Sequence, residues 1–245
     1  MKTHSNSDEI YLGKNAGKEI LRDIKGAMKS VKIISPYSSP QYIDELVNLA
    51  ERGFKVTLIT SDDIKEGDGK HSNFNHKQII MQKRHTNEKK EEIRNKGKKF
   101  SSFAFILNVI PLLLFFFMEF HFWILIVFLA GITLISLGGY FYFKEMRIYT
   151  YSYYTLFRLK VFHSGYRGKE LVHSKVYVID DKVAYVGSVN FTYYGMDNNY
   201  ECAVKIKDKN AVQDLSKEIE KLYDSNLVSK NIQNWGRSLY PEPKN

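Results

Sequence analysis

An α/β fold, a mixed sheet flanked by helices and interrupted by a two-helix transmembrane hairpin, is what this 245-residue sequence predicts. Three observations carry that expectation. Two apolar runs with a helix-spaced segment between them occupy Val31 to Thr60, the pattern of a βαβ unit. Two alternating runs, KVYVID and VAYVGS, meet at Asp180, Asp181 and Lys182, a β-hairpin signal. Between them, Phe100 to Phe143 holds 11 of the 16 phenylalanines and, as charged or imidazole groups, only Glu119 and His121. With 44% hydrophobic residues the chain can bury a sizeable core, so disorder is excluded as a description of the whole.

The elements follow in order. Nothing in MKTHSNSDEIYL resembles a signal peptide, because no apolar run follows Lys2, so a cytosolic N-terminus is expected. Ile20, Leu21, Ile24, Ala27 and Met28 recur at helical spacing, and Val31 to Ile34 reads as a buried strand. Ser39 as N-cap, Pro40 at the first helical position and Gly53 past the end bracket a second helix carrying Ile43, Leu46, Val47 and Ala50. Lys55 to Thr60 is the next strand. The polar, glycine-containing stretch from Asp62 to Asn75 is a loop.

Two membrane spans follow. Ser101 to Met118 is 18 residues and Phe122 to Phe143 is 22, about 27 and 33 Å as helices, which bracket a hydrocarbon core of roughly 30 Å. One continuous helix would be about twice too long, so Glu119, Phe120 and His121 are expected to form a turn. Asn108, Pro111, Gly131, Gly138 and Gly139 are tolerable where the helices pack together, and Trp123, Tyr140 and Tyr142 suit the interfacial aromatic belts. Lys96, Lys98 and Lys99 before the hairpin and Lys144 and Arg147 after it place both flanks in the cytoplasm. The opposing reading is a buried hairpin in a soluble core. His76 to Lys99 holds nine Lys/Arg and three Glu, +6 of the formal +9. Such a stretch suits anionic headgroups, or is simply a solvated cationic helix.

Beyond the membrane arm, Leu159 to Phe162 is a short strand, the hairpin comes next, Tyr200 to Lys207 alternates again, and Val212 to Leu227 is an amphipathic helix. The tail from Asn231, with Pro241 and Pro243, is expected to be loosely held. The single cysteine, Cys202, excludes a disulfide framework and reads as a packing residue in a reducing compartment. GDGKHS lacks the spacing of a phosphate-binding loop, and Asp62, Asp63 and Asp68 do not fit a calcium loop. His4, His71, His76, His85, His121 and His163 have no partner pattern.

The chemistry concentrates around the hairpin. Strand parity puts His173 and Lys175 on one face and, on the returning strand, Ser188 with Asn190. An imidazole, an ammonium, a hydroxyl and an amide at one mouth of a sheet suit a phosphodiester: Lys175 offsets charge on a nonbridging oxygen while Ser188 and Asn190 donate hydrogen bonds to it. Asp180 falls on the opposite face and is expected to brace the hairpin rather than touch substrate.

His173-Ser-Lys175, four residues, Asp180, six residues, then Gly187-Ser188-Val189-Asn190 resembles the HKD signature of the phospholipase D superfamily, with every spaced position filled. Glu201, in NNYE, resembles the family's acidic residue that supports the histidine. The likeness implies a catalytic set of His173, Lys175, Asp180, Ser188, Asn190 and Glu201, with Lys175, Ser188 and Asn190 binding substrate and neither metal nor cofactor. It also implies displacement at phosphorus by the His173 imidazole to give a phosphohistidine, with a second motif histidine as general acid. Only one motif is present, so a homodimer with His173 of each copy across a twofold axis is implied. The division expected is 1–75 and 144–230 as the two halves of a phospholipase D-like domain, 76–100 as a basic juxtamembrane helix, 101–143 as the transmembrane hairpin and 231–245 as a tail. Function is left among three readings: an integral-membrane phosphodiesterase or phosphatidyltransferase acting on phospholipid, a membrane-tethered nuclease acting on nucleic acid, and an inactive scaffold.

Overall fold

Strands from both sides of the apolar insertion interleave in one eight-stranded mixed sheet. The computed structural model describes residues 2–5, 8–61, 76–117, 123–162 and 172–244. In chain order the strands are β1 (Lys2–Ser5), β2 (Asp8–Gly13), β3 (Ser30–Ile34), β4 (Lys55–Ser61), β5 (Ile80–Thr86), β6 (Tyr149–Thr155), β7 (Arg158–Phe162), β8 (Val176–Ile179), β9 (Val183–Gly187) and β10 (Glu201–Ile206). The large sheet runs β1-β2-β10-β9-β8-β3-β4-β7, and β5 with β6 forms a separate pair. β3, β4 and β7 are parallel; every other pairing in the sheet is antiparallel. The βαβ unit anticipated over Val31 to Thr60 is β3, α2 (Pro40–Glu51) and β4, with Val31, Ile33, Leu58 and Ile59 almost wholly buried as strands covered on both faces require.

α1 (Ala16–Lys25) packs against β8 and β10, and α2 against β4. α5 (Lys209–Asp224) lies against β3, β8 and β9, its Val212 and Ile219 joining Ile34, Val176, Val178 and Ala184 in one apolar cluster. Asp208 caps α5 by accepting from the Ala211 N–H. The β8–β9 connection holds Asp180 and Asp181 both at positive φ, 55° and 51°. These two left-handed residues form the turn that the Lys182 N–H closes on the Ile179 carbonyl at 3.0 Å within a three-residue connection, and aspartate tolerates that region better than most side chains.

The chain forms two compact units: 1–81 with 153–239, and 82–152 with 240–245. In the second, α3 (Glu88–Phe117) and α4 (Trp123–Glu145) pack antiparallel, with Gly97 against the Phe143 ring and Gly139 against Ser101. Small residues let the helix backbones approach. One described helix, over Leu125–Glu145, is long and apolar enough to cross a membrane. The expected two-span hairpin is therefore supported by one span; the expected turn at Glu119 to His121 lies outside the described residues, as do the loop 62–75 and His163.

Two expectations are corrected. Residues 76–100 are not one basic helix: Ile80–Thr86 is a strand paired with Tyr149–Thr155, and the helix starts at Glu88 and runs on past Phe100 through Pro111. The aromatic partner strand supplies the reason, since the Arg84 guanidinium lies 4.5 Å from the centre of the Tyr149 ring and His85 bonds Ser152 at 2.7 Å, contacts that no periodicity within 80–86 announces. The tail is held: α6 (Ile232–Leu239) buries Trp235, Gln233 makes two hydrogen bonds to the Tyr153 backbone, and Pro241, Pro243 and Lys244 carbonyls accept from Gln82, Tyr151 and Ile148. The first thirteen residues, read only for the absence of a leader, contribute the strands β1 and β2.

Candidate active site

The motif residues stand where the carboxyl ends of the parallel strands β3 and β4 meet the start of β8 and the end of β9, the edge at which open α/β sheets gather ligands. Val172 to Lys175 precede β8, and the Lys175 carbonyl still accepts from the Gly187 N–H at 3.4 Å. His173 and Ser174 are exposed, whereas Lys175 is 9% exposed. The Lys175 ammonium donates to the His173 carbonyl at 2.9 Å and stands 3.1 Å from Nδ1 and 3.4 Å from Nε2 of the ring. Burial pushes its pKa below the ordinary lysine value, and the negative charge of Glu201 partly opposes that shift.

The other strand end is built by close approach. Gly187 ends β9 where a Cβ would sit 2.0 Å from the Cys202 carbonyl oxygen, so only glycine lets β10 pass. Ser188 N–H then donates to that carbonyl at 2.9 Å, and Cys202 N–H donates to Ser188 Oγ at 3.1 Å. The Ser188 hydroxyl donates in turn to Glu201, whose other oxygen accepts from Asn199 Nδ2 at 3.2 Å. Ser188, expected to donate to substrate, thus holds Glu201 in this structure. Among the described residues no hydrogen bond joins Glu201 to His173. Among the described residues Asn190 Oδ1, which is buried, has no hydrogen-bond partner.

The segment after Asn190 is clamped by the loop after β3, which the sequence reading took only as a helix start. Ser39 does not cap α2; its Oγ accepts from Tyr193 N–H at 2.9 Å while its N–H donates to the Phe191 carbonyl at 2.9 Å. Ser35 Oγ accepts from Phe191 N–H at 2.9 Å and donates to the Tyr37 carbonyl at 2.7 Å. The buried Tyr177 hydroxyl reaches the Val189 carbonyl at 2.7 Å, and the Tyr42 hydroxyl reaches Asp197 at 2.6 Å. Burial and then the Asp197 bond raise the pKa of Tyr42, so its proton stays in place. Ser35, Ser39, Tyr177 and Asn199 escaped the sequence reading because their roles are contacts between distant segments; the hydroxyl density of SPYSSP was the available signal.

Asp180 stands apart from this group. It lies at the other end of β8, five residues from Lys175 and therefore about 16 Å along the strand. There its carboxylate accepts from the backbone N–H groups of Met28, Lys29 and Ser30 at 2.7 to 3.1 Å. Burial acts to raise its pKa, but these hydrogen bonds prevail and hold it below the usual carboxylate value. Asp180, counted in the catalytic set that the resemblance implies, thus ties the β8–β9 turn to residues 28–30 in this structure. Among the described residues no three His, Cys, Asp or Glu side chains are grouped to hold a metal ion.

Residues 142–223, which include His173 to Asn190, match the family model described as the PLD-like domain of cardiolipin synthase. Solved structures that align with this chain include NucT from Helicobacter pylori, 14% identical over 91% of this chain and 98% of that one, TM-score 0.46. Others are Nuc from Salmonella typhimurium, described as a phospholipase D family member, 12% identical over 91% and 99%, TM-score 0.44, and phosphatidylserine synthase of Haemophilus influenzae, 12% over 92% and 41%, TM-score 0.42. No curated protein matches the sequence.

Proposed function

We propose that this chain is a membrane-anchored phosphodiesterase of the phospholipase D type that turns over phospholipid through a phosphohistidine on His173. The observation that carries the reading is the buried Lys175 ammonium beside the exposed His173 ring, at the same sheet end as Asn190 and Glu201. As drawn, His173 Nδ1 faces the Lys175 ammonium and Glu201 is held by Ser188 and Asn199. An arriving phosphodiester draws the ammonium to a nonbridging oxygen; Nδ1–H then turns toward the Glu201 carboxylate and Nε2 keeps the lone pair that attacks phosphorus. Hydrogen bonds of catalytic groups are commonly loose before substrate binds. The amide of Asn190 rotates about its last torsion to present its NH2 group to the same phosphoryl oxygen, which ends the isolation of its buried end.

In the first step the His173 Nε2–P bond forms and the P–O bond to the leaving group breaks, with the proton for the departing alkoxide coming from His173 of a second copy. In the second, water or an alcohol attacks phosphorus, the P–N bond breaks, and that second histidine takes the nucleophile's proton. A homodimer is therefore part of the proposal. So is the bilayer. α4 has spanning length and little of it is buried, and on α3 Phe103, Ile106, Leu107, Ile110, Leu113 and Leu114 are all more than half exposed. Apolar surface on that scale calls for lipid or a partner rather than water. Anchoring places the N- and C-terminal parts on the cytoplasmic side.

The test is trapping: purified full-length protein is mixed with headgroup- and acyl-labelled phosphatidylglycerol or phosphatidylcholine, or with labelled DNA and RNA, and quenched in acid or base. Phosphatidyl label retained in base and lost in acid, absent from His173→Ala, supports the proposal. Label from nucleic acid alone would make the chain a tethered nuclease. Equal turnover by His173→Ala would leave a scaffold.

A further inference from the structure

At the ionic end of the α3–α4 pair an open groove of about 830 Å³ lies between the start of α3 and the end of α4, within the usual volume of a small-molecule site. Its wall divides by chemistry. Ile93, Gly138 and Phe141 are apolar, with Ile93 and Phe141 each more than half exposed, while Lys90, Glu145 and Arg147 stand at the polar rim. Gly138 faces empty space, no atom lying within 4 Å of where its Cβ would be, so the groove is not closed by packing. The Lys90 ammonium makes no hydrogen bond or ion pair among the described residues. Arg147 is paired with Glu242 at 3.2 Å through one nitrogen, which leaves N–H groups of its planar fork for another acceptor.

We propose that this groove is a binding site for one anionic phospholipid, separate from the His173 site. The phosphate sits between Lys90 and Arg147, and an acyl chain runs along Ile93, Gly138 and Phe141 toward the apolar part of the helices. Charge complementarity selects the occupant: although Glu88, Glu91 and Glu92 offset Lys89 and Arg94 along the first turns of α3, the groove's own lining holds two cations, Lys90 and Arg147, against one carboxylate, Glu145, and suits a net negative headgroup. Glu145 opposes it, and that opposition makes the headgroup assignment testable. The proposal rests on the membrane anchoring above, not on the chemistry at His173.

The experiment uses the full chain reconstituted in nanodiscs of mixed phosphatidylglycerol and phosphatidylcholine, released into mild detergent, with retained lipid counted by native mass spectrometry. Carbonate extraction of the membranes measures insertion in parallel. Wild type should retain one phosphatidylglycerol in about tenfold preference to phosphatidylcholine, and Lys90→Ala with Arg147→Ala should lose that preference, as expected for charged hydrogen bonds to phosphate. Gly138→Leu, which fills the groove without a clash, should lose the lipid while remaining inserted. Glu145→Gln should strengthen retention, and His173→Ala should retain lipid as wild type does. Undiminished retention by Gly138→Leu, equal retention of both lipids, or weaker retention by Glu145→Gln, the mark of an amine headgroup, would each overturn the assignment. A wild type that inserts but retains no phosphatidylglycerol removes the groove site alone; failure of the wild type to insert removes the anchoring with it.

Discussion

The two ends of the β8–β9 hairpin carry the same density of polar side chains and use them in opposite ways. At the turn, Asp180 is saturated by three backbone N–H groups, and Asp181 is tied to Lys32 at 3.2 Å and to Ser216 at 2.8 Å. At the mouth, His173 is exposed, Asn190 Oδ1 has no partner, and the Lys175 ammonium is buried beside an imidazole rather than a carboxylate. Saturated groups stabilise a fold; groups left wanting partners cost free energy that only a ligand returns. One spaced motif thus contains a saturated half and an open half.

Substitutions at the two ends should separate activity from stability. The largest effect is at the mouth: His173→Ala should lower phosphodiester turnover on the order of 10⁴-fold or more, about 5.5 kcal/mol in the barrier, with an unchanged melting curve. At the turn the pattern inverts. Asp180→Asn should destabilise by about 3 kcal/mol through loss of charged hydrogen bonds, with kcat of the folded fraction retained. Because the native pKa of Asp180 is depressed, its contribution is complete above the unfolded value of about 3.9 and fades as pH falls through the lower native value. The gap between wild type and Asp180→Asn in chemical denaturation should accordingly close in acid; a gap constant down to pH 2 would refute the bracing role.

Asn190→Ala should cut turnover about 100-fold yet leave stability equal or higher, since it removes a buried unpartnered oxygen. The smallest effect is at Ser39. Its replacement by alanine should cost about 1 kcal/mol, and if the hydroxyl acts through the Tyr193 bond rather than as a helix cap, Asp at that position should not restore stability.

Much of this was legible beforehand. Val31 to Ile34, Lys55 to Thr60 and the KVYVID–VAYVGS hairpin are local patterns, and β3, β4, β8 and β9 form where those patterns lie. The sequence spacing likewise sets Asp180 five residues beyond Lys175, at the far end of β8. The strand Ile80–Thr86 was not legible, because Gln82, Lys83, Arg84 and His85 offer no apolar alternation and gain their order from Tyr149 and Ser152, more than sixty residues away. Nor was the Ser188–Glu201 bond, which arises only when β10 crosses Gly187.

By itself the sequence determined what depends on neighbours along the chain: the periods of its strands and helices, the apolar length of the 100–143 insertion, and the types and spacing of the groups from His173 to Asn190. Tertiary structure alone decided which of those groups are satisfied and which are left open. That difference is physical, since a side chain's chemistry is carried in its own atoms, whereas hydrogen-bond satisfaction and burial belong to whatever distant segment the sheet order brings against it.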